Sequence, residues 1–134
     1  MKPNGMDRAY AIADELIKDR LRDKAPEVLD AIESMDEADI LVVEGVHDHI
    51  QQVVNVAGTR FALVDAPALS TAELRRDQVM FVNCGAKFDR TALSRIRTYV
   101  EEGGYLFTTA WALRAVLEKA FPGCRNIIRS KHFY

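Results

Sequence analysis

A chain of 134 residues with 49% apolar and 28% charged side chains fits one globular domain, which argues against a disordered or low-complexity polypeptide. Its formal net charge of −2 gives no general attraction to nucleic acid or to an anionic membrane. Two cysteines without CxxC or zinc-type spacing argue against a disulfide framework and a structural metal, and we expect no cofactor. The polar start and the lack of an apolar run of about 20 residues predict a cytoplasmic protein without a membrane span.

Two amphipathic helices are predicted before the first strand. Over residues 6–22, apolar side chains recur at helical spacing with charge on the other face. Pro26 suits a first helical turn, and the second apolar stripe runs from Val28 to Met35. We interpret residues 1–38 as a helical extension of a single α/β domain that spans residues 39–134.

From residue 39 onward, short apolar runs alternate with helical segments. Strands are predicted at 39–45, 61–65, 78–84 and 105–109, with helices at 48–57, from a capping box at 70–73, at 90–102 and at 112–121. Residues 125–129 are a candidate for a last edge strand. This alternation requires crossover connections and predicts a flavodoxin-like three-layer sandwich with a mostly parallel sheet of order 2-1-3-4.

Three consecutive stretches carry a resemblance to a known superfamily. They read VMFVNCG at 79–85, YVEEGG at the end of the next helix, and YLFTTAWAL at 105–113. In this order they resemble the class I glutamine amidotransferase-like superfamily, particularly its ThuA-like and uncharacterised bacterial members. The resemblance covers residues 40–123 and implies the same fold, in which a strand, a helix closing on V-E-x-G-G and the next strand lead to a nucleophile elbow.

The elbow itself departs from the catalytic pattern of that superfamily. Catalytic members place a cysteine at this turn, whereas here it reads Thr108-Thr109-Ala110-Trp111, without a cysteine or flanking glycines. No downstream histidine and acidic partner match a catalytic triad. Thr109 is a poor substitute, because a threonine hydroxyl needs an adjacent base. The resemblance therefore argues against amidotransferase chemistry.

A ligand pocket is predicted where the strand order reverses, beyond the carboxyl ends of the first and third strands. Gly45 and Gly85 fit turns that require a positive φ. The predicted pocket residues are Glu44, Gly45, His47, Asn83, Cys84, Gly85, Thr109 and Trp111.

Cys84 is the sharpest catalytic candidate at this edge. A thiol at a strand end, near His47 or His49 and a helix N-terminus, can act as a nucleophile. A free cysteine more often packs as a small hydrophobic residue, and we favour that interpretation. Glu44 is a candidate general base, although a pair with Lys87 or a loop-capping role is favoured.

The run His47-Asp48-His49 contains metal-ligand residue types, but its spacing does not support a site. Residues at i and i+2 do not share a helix face, and the run falls where a helix starts. We therefore interpret Asp48 as the N-cap of that helix and predict no metal site.

Three functions follow from these patterns. The preferred one is a non-catalytic protein-interaction or assembly domain with a protein partner or a homo-oligomeric state. The alternatives are a small cysteine-dependent hydrolase or amidase that uses Cys84 with His47 or His49, and a small-ligand binding or sensing module. The basic segment 114–134 is a candidate for docking on an acidic partner, although a solvated tail is favoured. For the aromatic pair Phe133 and Tyr134, a partner contact and core packing stay equally open.

Overall fold

The computed structural model of this protein describes residues 5–36, 39–109 and 112–123. Trp111, the candidate strand at 125–129 and the pair Phe133 and Tyr134 lie outside the described residues. Among the described residues, no helix combines the length and apolar character needed to cross a membrane.

Helices and strands alternate as the apolar runs predict. The helices are α1 (Gly5–Lys24), α2 (Pro26–Glu33), α3 (Ile50–Val56), α4 (Arg90–Glu101) and α5 (Glu118–Ala120), the last preceded by a π-helical turn at Leu113–Leu117. The strands are β1 (Ile40–Val43), β2 (Ala62–Val64), β3 (Val79–Val82) and β4 (Tyr105–Thr108).

The four strands form one parallel sheet in the order β2-β1-β3-β4, which confirms the predicted three-layer α/β fold with its N-terminal helices. Val42 lies beside Leu63 and Phe81, and Phe81 lies beside Phe107. Because register partners in a parallel sheet point to the same side, this row and its i±2 neighbours share one face. We call it the α3 face, and the opposite side the α4 face.

The α4 face holds most of the core. Side chains of β1 and β3 pack there against α4, the segment 113–120 and a 3-10 turn at Pro67–Ser70. The buried members are Leu41, Val43, Ala66, Leu69, Met80, Val82, Ala92, Ile96, Tyr99, Ala112 and Val116. The α3 face has a much smaller core, in which Ile40 and Val42 pack against Val54 of α3.

The capping box predicted at 70–73 does not start a helix. A 3-10 turn lies earlier, at Pro67–Ser70, and Asp65 Oδ1 accepts the Ala68 N–H at 2.8 Å. The Ser70 hydroxyl donates to Asp89 at 3.1 Å instead of capping its own segment. Asp89 in turn caps α4 by accepting the Ala92 N–H at 2.7 Å. The predicted helix is therefore wrong, because Ser70, the capping residue of the box, binds Asp89 and not its own segment.

Tyr99 links α4 to the start of two strands. Its side chain is buried, and its hydroxyl donates to the carbonyl oxygens of Gln78 and Tyr105, the latter at 2.8 Å. Burial raises the pKa of Tyr99 to about 12. The native state therefore holds this proton over a pH range in which an unfolded tyrosine, with an ordinary pKa of 10.0, loses it.

We expect this difference to appear as alkaline destabilisation. Below pH 10, the free energy of unfolding contains the full contribution of Tyr99. Between pH 10 and 12 it falls by about 2–3 kcal/mol, because Tyr99 ionises only in the unfolded chain in that range. Urea unfolding of the wild type and Tyr99→Phe across this range tests it. The variant should start about 1–2 kcal/mol less stable, from its lost hydrogen bonds, and show a shallower pH slope. Equal slopes would contradict the assignment.

Candidate functional site

The loops after β1 and β3 meet at the carboxyl edge of the sheet, the position predicted for a pocket. The backbone N–H groups of Val46 and His47 both donate to the Cys84 carbonyl oxygen, at 2.9 and 3.1 Å. The Asn83 N–H donates to the Val43 carbonyl at 3.2 Å. We call this pair of connected loops the rim. Backbone N–H and C=O groups of the rim are therefore used in hydrogen bonds between the two loops.

Asn83 is the buried polar centre of the rim. Its side chain is fully buried, and its Oδ1 accepts the Ile50 N–H at 2.9 Å. Its Nδ2 donates to Gln51 Oε1 at 2.8 Å. A free amide at the first turn of α3 is thus satisfied by a side chain from the loop after β3, 33 residues away in sequence. Asn83 therefore has a structural role at the predicted pocket, because it connects the loop after β3 to the start of α3.

Asp48 is not the N-cap of α3, so that prediction is wrong. The N-cap is His49, whose side chain makes no capping hydrogen bond, and α3 begins at Ile50. The Asp48 carboxylate instead accepts the backbone N–H of Cys84. Asn83 occupies the capping position that Asp48 was expected to fill, which leaves Asp48 to bind the opposite loop.

The two rim glycines are required for different reasons. Gly85 has a φ of 91°, as predicted. Gly45 does not adopt a positive φ, so the reason given for it is wrong. A Cβ at Gly45 would collide with the Cys84 carbonyl oxygen and with Asn83. Gly45 is needed because two backbones approach closely at this point.

The rim does not assemble the predicted nucleophile and base. Cys84 is only 4% exposed, whereas His47 and His49 are exposed. The His47 ring lies against Gly85, and His49 Nδ1 contacts Gln51 Nε2 at 3.4 Å. Within the described part of the chain, no hydrogen bond joins the Cys84 thiol to either imidazole.

The remaining rim candidates also lack catalytic partners. Glu44 is exposed, and among the described residues no ion pair joins it to Lys87. Thr109 binds the end of β3, because its N–H and its hydroxyl both donate to the Val82 carbonyl, at 3.1 and 3.4 Å. Its hydroxyl is therefore held by backbone and not by a base.

Two open depressions of the described structure lie away from the rim. One open depression of about 420 Å³ is lined by residues 55 and 58–61, beyond the end of α3. Another of about 370 Å³ lies between α4 and the segment that follows Lys119. In residues 5–36, 39–109 and 112–123, no group of three histidine, cysteine or acidic side chains is placed to hold a metal ion.

An apolar surface on the α3 face was not singled out from the sequence. Tyr105 and Phe107 of β4 point to this face and are 76% and 55% exposed. The ring of Phe107 contacts that of Phe81 on β3, with centroids 5.5 Å apart and planes inclined by 55°. We call Phe81, Tyr105 and Phe107 the aromatic surface. The YLFT sequence gave no signal for this exposure, because it has the composition of a buried strand.

Fold and rim together define a parallel α/β domain whose strand-end loops are joined by structural hydrogen bonds. Comparison with protein-family profiles, with curated proteins and with solved structures finds no significant match to this chain.

Proposed function

We propose that this chain is a non-catalytic protein-interaction or assembly domain on a class I glutamine amidotransferase-like scaffold. The observation that carries the proposal is the aromatic surface, which is exposed on a sheet face that such folds normally cover. The superfamily assignment is supported by the strand order and by the position of the V-E-x-G-G type helix end before β4.

Parallel sheets are ordinarily covered by helices on both faces. Here α3 packs on Ile40 and Val42 near the middle of the sheet, and β4 extends beyond that contact. The aromatic surface therefore lies beside α3, where a second helix would complete the layer. Tyr105 and Phe107 are already partly covered in the fold, so burying their remaining exposed area supplies about 1–2 kcal/mol for each side chain.

The uncovered part of the α3 face, beside α3, would accommodate a helix. The partner is therefore an amphipathic helix of another protein chain, which presents an aliphatic or aromatic stripe to the aromatic surface. The groups exposed on this face by β4 are Tyr105 and Phe107, so the contact depends on apolar burial and not on ion pairs. Its affinity should accordingly depend little on salt concentration.

The two alternative functions receive less support from the rim. A cysteine-dependent hydrolase needs an accessible thiol with a base in reach, whereas Cys84 is buried and no hydrogen bond joins it to His47 or His49. A ligand-sensing module needs a concave site, and the depressions described above are lined by other residues. Cys84 is a free thiol, which agrees with a cytoplasmic place of action.

The test places a photo-cross-linking phenylalanine analogue at position 107 in the full chain, expressed in its native host. The matched control carries the same analogue at Leu63, which lies on the same face at the opposite edge of the sheet and is 46% exposed. We expect cross-links at position 107 alone, and the cross-linked peptide should come from a helix of another protein.

Two results would overturn the proposal. Equal or absent cross-linking at the two positions would show that the aromatic surface has no dedicated partner. Cross-links from position 107 to residues 124–134 of the same molecule would show that the chain covers this face itself.

A further inference from the structure

A second surface feature lies on the outer side of the helices that cover the α4 face. It is the open depression of about 370 Å³ between α4 and the segment that follows Lys119. Its lining residues are Arg90, Leu93, Ser94, Arg97, Lys119, Ala120 and Pro122. The four from α4 recur at intervals of three and four positions, so they share one side of the helix over about 10 Å. We call this depression the basic groove.

Every charged side chain that lines the basic groove is a cation. Arg90 and Lys119 are exposed, and within residues 5–36, 39–109 and 112–123 neither of them forms an ion pair. Arg97 pairs through Nε with Glu101 at 2.8 Å, and an exposed pair of this kind contributes little. The basic groove is therefore a local excess of positive charge on a chain whose formal net charge is −2.

The cation at the start of α4 does not stabilise that helix. Arg90 is its first residue, where the helix dipole favours acidic side chains, and the first turn contains none. The last residue of α4 is Glu101, at the end where the dipole favours cations. Arg90 therefore lowers the stability of α4 unless it binds an anion.

The floor of the basic groove is apolar. Leu93 is half-buried and Ala120 is buried, and Pro122 is exposed beside them. Cations lie on both walls, since Arg90 belongs to α4 and Lys119 to the segment opposite. The cations can bind carboxylates, and the floor can cover one apolar side chain.

We propose that the basic groove binds an acidic segment of another protein, in which carboxylates flank an apolar side chain. The groove is open along two turns of α4, which suits a polypeptide that lies along the helix, whereas a small anion would stay mostly in solvent. The lining contains no aromatic side chain on which a nucleic-acid base could stack. This inference goes beyond the proposed function, because α4 covers the sheet face opposite the aromatic surface.

The C-terminal residues of the same chain do not have the complementary charge. Residues 124–134 follow the basic groove in sequence and carry Arg125, Arg129 and Lys131, without an acidic side chain. Placing these cations beside Arg90 and Lys119 would oppose like charges, which is destabilising. The carboxylates therefore come from another molecule.

The first test measures binding of a defined acidic peptide to the full chain. The probe is a fluorescent alanine-based helix with one leucine between two glutamates, which are spaced like Arg90 and Arg97. Its control has glutamine in place of both glutamates. By fluorescence anisotropy, the glutamate peptide should bind roughly tenfold or more tightly, with an affinity that falls steeply as NaCl is raised. Phosphate should compete no better than NaCl of the same ionic strength.

The second test locates the binding site by charge reversal. Arg90→Glu combined with Lys119→Glu should weaken binding of the glutamate peptide by roughly tenfold or more. The matched control combines Arg20→Glu with Arg76→Glu, which reverses two exposed cations outside the basic groove and gives the same net charge. It should bind like the wild type. Both variants should unfold at the wild-type temperature, because all four side chains are exposed.

Four results would overturn this inference. They are equal binding of the two peptides, equal weakening by the two variants, competition by phosphate beyond its ionic strength, and tighter binding of a single-stranded oligonucleotide than of the glutamate peptide. Sedimentation equilibrium supplies a further check, since a wild-type oligomer that the groove variant dissociates would assign the groove to a second copy instead. None of these results affects cross-linking at position 107, so failure here is distinguishable from failure of the proposed function.

Discussion

Replacing Asn83 by alanine should lower the free energy of unfolding by about 2–4 kcal/mol, one of the two largest effects expected here. Asn83 is fully buried, and it binds both Ile50 N–H and the Gln51 side chain. Its loss leaves the Ile50 amide unsatisfied at the start of α3, and the Gln51 carbonyl oxygen loses its donor. The penalty combines these lost hydrogen bonds with a small cavity. Chemical denaturation of the full chain measures it.

The control for this prediction is Asn55→Ala on α3, where the asparagine is exposed. It should stay within about 0.5 kcal/mol of the wild type. Hydrogen exchange supplies a local measurement, because the Ile50 amide should exchange faster in Asn83→Ala and at the wild-type rate in Asn55→Ala. If the two variants unfold at the same denaturant concentration, Asn83 does not cap α3.

The strand order of this fold was predictable because its causes are local or follow general rules. Buried parallel strands read as continuous apolar runs, as at Ile40–Val43 and Val79–Val82. Alternation with helices then requires crossovers of one hand, which leaves few possible orders. Gly103 closes α4 with a φ of 106°, another feature visible in the local sequence.

The rim was not predictable in the same way because its contacts are between residues distant in sequence. Asp48 has the right chemistry for a local cap, but Asn83 reaches that helix first in space. The box at 70–73 failed for a similar reason, since Ser70 binds Asp89, which lies 19 residues further along. A local sequence pattern shows that a side chain can form a capping hydrogen bond. It does not show which of several partners that side chain binds in the folded chain.

The exposed apolar surfaces show another limit of sequence periodicity. Alternation along Tyr105–Thr108 indicates which side chains share a face, and it contains nothing about whether another element covers that face. In α1 the helical spacing of apolar residues was recognised, but the side of the helix that faces the domain depends on contacts distant in sequence, such as the hydrogen bond from Lys18 to the Ala57 carbonyl. The aromatic surface became an interaction candidate only when its exposure was known.

The second large effect is expected for Gly45→Ala, which should destabilise the chain by about 2–3 kcal/mol. The added methyl group would collide with the Cys84 carbonyl oxygen and with Asn83. That carbonyl cannot easily move aside, because it accepts hydrogen bonds from Val46 and His47. The β1 and β3 loops must therefore separate, which strains the rim and the start of α3 together.

Gly5→Ala at the start of α1 is the matched control, because a Cβ there meets no atom within 4 Å. It should be neutral or slightly stabilising, since alanine favours helix by up to about 1 kcal/mol over glycine. Combining Gly45→Ala with Asn83→Ala supplies a sharper check. The two residues act on the same loop contact, so their effects should add to less than the sum of the single changes. Full additivity, or a Gly45→Ala chain as stable as the wild type, would mean that the two loops are not held in close backbone contact.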